Sequence, residues 1–155
     1  MSIAIFSRHL AELHRVRGPS DANEATRVIE RAIAAATKGG HEDVRQLALL
    51  SRVRLAIGDP ERQKFTDIQS NLDAIERYGV EMGMPRLIAD TAFARAEHLL
   101  QLGETRHAAK LARKCLEIAT ANNLRLRQMT ALALLAQIYQ HRGMLVAAEP
   151  LLARA

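Results

Sequence analysis

At 155 residues the chain is one domain's worth of polypeptide. Ala (27) and Leu (21) supply most of the apolar residues, whereas Val, Ile and Thr together number 23; that composition belongs to a helical protein and excludes a β-sandwich, a collagen-like repeat and a low-complexity disordered segment. A single Cys excludes a disulfide framework. No run of 18 apolar residues exists, and Arg8 and His9 fall where a signal peptide needs its apolar stretch, so a soluble, cytoplasmic protein with no membrane partner is expected. The net charge of +5 is modest and lies mostly after Gly79, where 10 basic residues face 6 acidic ones. The aromatic residues are Phe6, Phe65, Phe93, Tyr78 and Tyr139, and no block of five or six like charges occurs. Both a basic nucleic-acid tail and a base-stacking platform are therefore lacking.

Helix breakers recur along the chain at Gly18-Pro19, Gly39-Gly40, Gly58-Asp59-Pro60, Gly83-Met84-Pro85, Gly103, Asn122-Asn123 and Gly143. Gly and Asn accept the left-handed conformation that ends a helix, and Pro lacks the N–H to continue one. The intervals predict helices over approximately 3–17, 21–38, 42–57, 60–82, 86–102, 105–121, 124–142 and 146–155. In the first, Ile3, Phe6, Leu10 and Leu13 recur at helical spacing. In the second, Asp21 and Glu24 read as a capping box ahead of the stripe Val28, Ile29, Ala32, Ile33 and Ala36. Asp59-Pro60 reads as an N-cap followed by a proline preset for the first turn, and Thr105 as a cap after Gly103. The segment from Thr130 to Tyr139 is apolar over more than half its circumference through Leu132, Leu134, Leu135, Ile138 and Tyr139, as expected of a helix between neighbours. Connections of two to four residues make consecutive helices antiparallel.

Superposing Gly103 on Gly143 aligns Ala96 with Ala136, Leu99 with Tyr139, Ala108 with Ala148 and Leu111 with Leu151, an offset of 40 throughout; Gly18 and Gly58 are also 40 apart. Repeats at this period are helix pairs that must stack to bury their apolar faces. The pattern of a small then a large residue in one helix, Gly at the turn, and small residues in the next resembles the tetratricopeptide repeat superfamily. It is carried by Ala96, Leu99, Gly103, Ala108 and Cys115, and again by Ala136, Tyr139, Gly143, Ala148 and Ala155. Earlier repeats depart from it: Ser51 fits but Arg54 stands at a large apolar position, and Ala11 fits but His14 does not. The stretch from Glu81 to Ala89 looks like the longer repeats of large bacterial transcription activators of the maltose-activator type. The expected architecture is an all-α, right-handed α-solenoid of about four antiparallel helix pairs, a single domain over 1–155 with repeats near 1–38, 41–83, 86–122 and 124–155.

No phosphate-binding or nucleophile motif is present. His9 and His14 diverge by about 140° around a helix, unlike the i, i+4 pair of a zinc site. His41-Glu42-Asp43 reads as an acidic first turn, and Cys115 as a buried small residue. No catalytic residue, metal or cofactor is expected. The basic set Arg106, Lys110, Arg113 and Lys114 reads as a solvated outer face that Glu117 partly neutralises through Lys110 and Lys114. The resemblance implies that the first helix of each pair lines a concave groove, which nominates Arg8, Glu12, Arg15, Arg45, Arg52, Asp90, Glu97, Gln101, Gln137 and His141 as partner-reading side chains. Val146 to Ala155 is short for a helix of the array, so Leu145, Leu151 and Leu152 are expected at a capping surface or a homodimer contact. These expectations describe a scaffold or adaptor for a protein or peptide, of the kind found as a regulatory domain in larger bacterial signalling or transcription proteins. The alternative is a small-ligand- or nucleic-acid-binding regulatory domain using the basic C-terminal half.

Overall fold

The structure, a computed structural model, describes residues 19–64 and 66–153. These residues form eight helices and no strand: α1 (Pro19–Gly39), α2 (Glu42–Ile57), α3 (Pro60–Gln63), α4 (Ile68–Glu81), α5 (Pro85–Gln101), α6 (Thr105–Ala121), α7 (Arg125–His141) and α8 (Leu145–Leu152). The segment expected over 3–17 lies outside the described residues. The chain divides into two compact units, with the boundary inside α4 between Ile75 and Glu76.

In the first unit α1 packs on α2, and α2 on α3. Ala25, Ile29, Ala32 and Ala36 form the buried stripe of α1, with Ile29 and Ala25 against Leu55 of α2. That is the 3.6-residue periodicity of an amphipathic helix. The last five residues of α2, Val53 to Ile57, are all buried, including Arg54 at the position where the repeat pattern lacks its large apolar residue. Of the two cap expectations here, one changes and one holds. Pro19 already opens α1, so Asp21 lies inside the first turn and not at the cap. Asp59 does cap α3, accepting from the Glu61 N–H at 3.0 Å. The single helix expected over 60–82 is broken in two. Gln63 Nε2 donates to the Ile57 carbonyl at 2.9 Å and folds α3 back on the end of α2. Asp67 Oδ1 then accepts from the Ser70 N–H at 3.0 Å and starts α4 afresh. An aspartate three residues ahead of an N–H that would otherwise lack a partner makes the break energetically acceptable.

In the second unit the turns follow one geometry. Gly83, Gly103, Asn123 and Gly143, each 20 residues after the last, have positive φ of 61°, 80°, 54° and 70°. After each, the next N–H reaches back to close the helix: Met84 to Gly79, Glu104 to Leu99, Leu124 to Ala119 and Met144 to Tyr139, at 2.8–2.9 Å. This is the Schellman ending, in which a left-handed residue lets the chain satisfy the orphan carbonyls. Thr105 is the first helical residue and Glu104 occupies the cap without a side-chain bond, so the expected Thr105 cap does not form. Helix α5 packs on α6, α6 on α7, α7 on α8, and α5 also touches α7.

The core between these helices contains Ala89, Ala92, Phe93, Ala96, Ala108, Ala112, Cys115, Leu134, Leu135 and Ile138. Positions 40 apart behave alike: Ala96 and Ala136, and Ala108 and Ala148, are buried, while Leu111 and Leu151 pack at the edge of the core. Burying a side chain such as Ile138 contributes about 2 kcal/mol, and the alanines between the larger residues let helix axes approach closely. Gly79 serves the same end, since a Cβ there would lie 3.1 Å from Ile88 Cγ1.

Candidate functional site

The break between α3 and α4 leaves a cleft of about 380 Å³ in the first unit. Its floor is apolar, made by Ile29 of α1 and by Leu55 and Ala56 of α2. Its walls are polar: Thr26 three residues before Ile29 and Glu30 directly after it, Arg52 one turn before Leu55, Arg62 from α3, Thr66 and Asp67 from the connecting segment, and Asn71 from α4. Arg62 is a fixed cation, donating to Asp59 at 2.8 Å, to Asn23 Oδ1 at 2.9 Å and to the Thr26 hydroxyl. Burial pushes the Asp59 carboxyl up, but the Arg62 side chain and the backbone N–H groups of Glu61 and Arg62 outweigh it and hold the pKa below the ordinary aspartate value. Arg52 is held loosely, 3.5 Å from Glu30 with both side chains well exposed. One wall of the cleft is thus pre-organised, and the other carries a guanidinium that can exchange an exposed partner at small cost.

Of the groove residues read from the sequence, Arg52 lines this cleft and Arg45 does not. Arg45 grips Glu42 with two bonds of 2.8 and 2.6 Å, which lowers the Glu42 carboxyl and raises the guanidinium pKa. Gln46 adds a third bond to the same carboxylate, so Glu42 of the His41-Glu42-Asp43 triplet is engaged within its own helix. Sequence reading missed Arg62 and Thr26. The Asp59-Pro60 cap was visible, but only the refolded α3 turns Arg62 toward α1.

In the second unit Asp90 is 2% exposed and paired with Arg127 at 2.7 Å. The Arg127 guanidinium lies over the Phe93 ring, 4.6 Å from its centroid, and also donates to Thr130 Oγ1 at 3.2 Å. Asp90 therefore braces α5 to α7 and does not present a carboxylate to an open groove. Glu97 is half-buried, and Gln101, Gln137 and His141 are exposed. Leu151 is half-buried against the core of its own unit; Arg8, Glu12 and Arg15, and the side chains of Leu145 and Leu152, lie outside the described residues.

The basic stripe of α6 is partly committed within the fold. Lys114 Nζ lies 2.7 Å from Glu76 instead of reaching Glu117, and Glu76 also takes Arg95 at 3.0 Å. Arg113 donates to the Tyr139 hydroxyl at 2.6 Å. Cys115 is fully buried, and burial pushes its thiol up to about 12, well away from a nucleophile's range. Burial also lowers the His98 pKa, and its Nδ1 is buried without a hydrogen-bond partner. Among the described residues no group of three His, Cys, Asp or Glu could hold a metal ion, and no helix is long and apolar enough to cross a membrane. Compared with known proteins, the chain matches no family model, no curated protein and no solved structure.

Proposed function

We propose that the protein is an interaction module, a tetratricopeptide-like scaffold that reads a segment of a partner protein and performs no chemistry of its own. The observation that carries this reading is the cleft of the first unit. Its apolar floor at Ile29, Leu55 and Ala56 suits one or two apolar side chains of a docked segment, and Arg52 and Arg62 suit carboxylates or carbonyl oxygens beside them. A cleft of this volume, mostly apolar below and set with a few convergent polar groups, is the usual form of a recognition site. The repeated turns of the second unit support the array reading, because a turn geometry that recurs every 20 residues propagates one hairpin shape along the chain. A place within a larger regulatory protein suits such a module.

The rival reading, phosphate recognition by the basic face of α6, is weakened by the commitment of Lys114 to Glu76 and of Arg113 to Tyr139. Selection of a displayed random-peptide library on the immobilised chain tests the proposal. Enriched peptides should pair an apolar residue with a nearby acidic one and lose at least about tenfold in affinity on Arg52→Glu. No enrichment above a blank surface, or peptides indifferent to Arg52→Glu, would overturn it. Binding of a labelled oligonucleotide that collapses between 50 and 200 mM salt, by about 10³-fold, would favour the rival.

A further inference from the structure

Three arginines of the first unit are committed to different degrees. Arg45 holds Glu42 through two bonds of 2.8 and 2.6 Å, and Arg62 donates to Asp59, Asn23 and Thr26. Arg52 differs from both. Its guanidinium lies 3.5 Å from Glu30, beyond the roughly 2.7–2.9 Å of a charge-assisted hydrogen bond. The two side chains are 37% and 50% exposed, and among the described residues Arg52 pairs with no other carboxylate. A contact of that length and exposure favours the paired state by no more than about fivefold.

Both members of the pair line the cleft, so a docking segment meets them together. The rest of the lining selects which of the two it takes. Of the two carboxylates in the cleft, Asp67 is engaged as the cap of α4, with its Oδ1 accepting from the Ser70 N–H at 3.0 Å. Glu30 is then the one carboxylate of the lining on a loosely held side chain. Of the two guanidiniums, Arg62 carries its own partner, Asp59, at 2.8 Å, and is fixed at Thr26, one helical turn before Glu30 on α1. An incoming ammonium would have to settle beside both guanidiniums, whereas an incoming carboxylate has only Glu30 to move aside. Arg52 also offers what Glu30 does not use. Its planar fork can donate two parallel bonds to a docked carboxylate, and the apolar floor at Ile29, Leu55 and Ala56 strengthens those bonds by keeping water away.

We infer that Glu30 is a built-in competitor at the cleft: the segment bound there carries an Asp or Glu beside an apolar residue, and its carboxylate displaces Glu30 from Arg52. This rests on the reading of the cleft as a peptide-recognition site. The affinity for an acidic segment is lowered by the fraction of Arg52 that Glu30 already occupies. A segment without an acid leaves the pair intact and is indifferent to it. Glu30 is thus a specificity-determining residue, and its removal acts on acidic ligands alone, which a merely structural side chain would not do.

Parallel selections of a displayed random-peptide library on the wild type, Glu30→Gln and Arg52→Gln, with the enriched peptides then titrated against all three chains, test the inference. Both side chains are well exposed, so the variants should keep their helical circular dichroism. The wild type should enrich peptides with an acid beside an apolar residue. Glu30→Gln should bind those peptides about two- to fivefold more tightly, and should bind their counterparts with the acid replaced by its amide no better than the wild type does. Arg52→Gln should not distinguish the acid from the amide. Acidic peptides that require Arg52 yet gain nothing on Glu30→Gln would overturn the inference and leave the reading of the cleft in place. Lys- or Arg-rich peptides lost on Glu30→Gln would overturn it by making Glu30 itself the reader. A library that yields nothing on any of the three chains would overturn the reading of the cleft and the inference with it.

Discussion

The two units differ in one kind of helix end. In the second, four left-handed residues placed every 20 positions reverse the chain identically, and the helices between them share a core of small and medium side chains. In the first, α1 closes the same way, with Gly40 at a φ of 68° and the His41 N–H donating to the Ala36 carbonyl at 2.9 Å; Gly58, however, sits at the end of α2 with an ordinary φ of −77°, and the chain turns through the short α3 with Asp59 and Asp67 capping successive starts. A left-handed turn fixes where the next helix goes. A right-handed end capped by side chains leaves that direction to contacts such as Arg62 with Thr26 and Asn23, and the cleft opens where it does as a result. The regular turns of the second unit follow from left-handed helix ends, and the cleft of the first from the end at Gly58, which lacks a left-handed residue.

Three experiments test what holds each unit together. The largest effect is expected at the brace between α5 and α7. Asp90→Ala leaves Arg127 charged and only 12% exposed, so stability by urea denaturation should fall by about 3–5 kcal/mol. Replacing both partners, Asp90→Leu with Arg127→Met, should recover most of the loss; equal losses for the single and double variants would show that the pair is not what holds these helices. The two kinds of helix end come next. Gly103→Ala forces a Cβ into φ of 80° and should cost about 1–2 kcal/mol, whereas Gly58→Ala at φ of −77° should be neutral or stabilise by up to about 1 kcal/mol. Equal effects at the two glycines would erase the distinction drawn between the turns.

The smallest effect is pH-dependent. His98 is held below its ordinary pKa by burial, so the unfolded chain takes up the proton first as pH falls. The stability it contributes is complete above about pH 6.5 and is lost as pH drops through the lower folded value. Urea midpoints for the wild type should decline over that interval, and His98→Leu should flatten the decline. A variant with an unchanged slope would place the titrating group elsewhere.

Much of the fold was legible because it rests on local rules. Ile29, Ala32 and Ala36 on one stripe, the broad apolar surface of Leu132, Leu134, Leu135 and Ile138, and the glycine turns need only periodicity and the conformational freedom of Gly and Asn. The break at 64–67 was not, since Asp67 caps α4 only because Gln63 has folded back onto Ile57. The same holds for the site. Arg52 could be nominated from its place on a first helix. Arg62 could not, because its partners Thr26 and Asn23 lie 36 and 39 residues away in sequence. Asp90 looked like a groove residue for the converse reason, as its partner Arg127 lies 37 residues further along the chain.

That the described chain is helical, where most of its helices end, and the 40-residue spacing of the hairpins in the second unit could be read from the residues alone, because helix content and helix ends follow from interactions within about one helical turn. Which polar side chains face water and which are consumed depends on the folded arrangement. Arg45, Asp90 and Lys114 are all charged residues on predicted helices, yet one is held by its own first turn, one is buried beneath Arg127, and one is drawn to Glu76. That selection depends on the positions of oppositely charged groups up to 38 residues away, and the energy of a charge is set by its surroundings in space rather than by its neighbours along the chain.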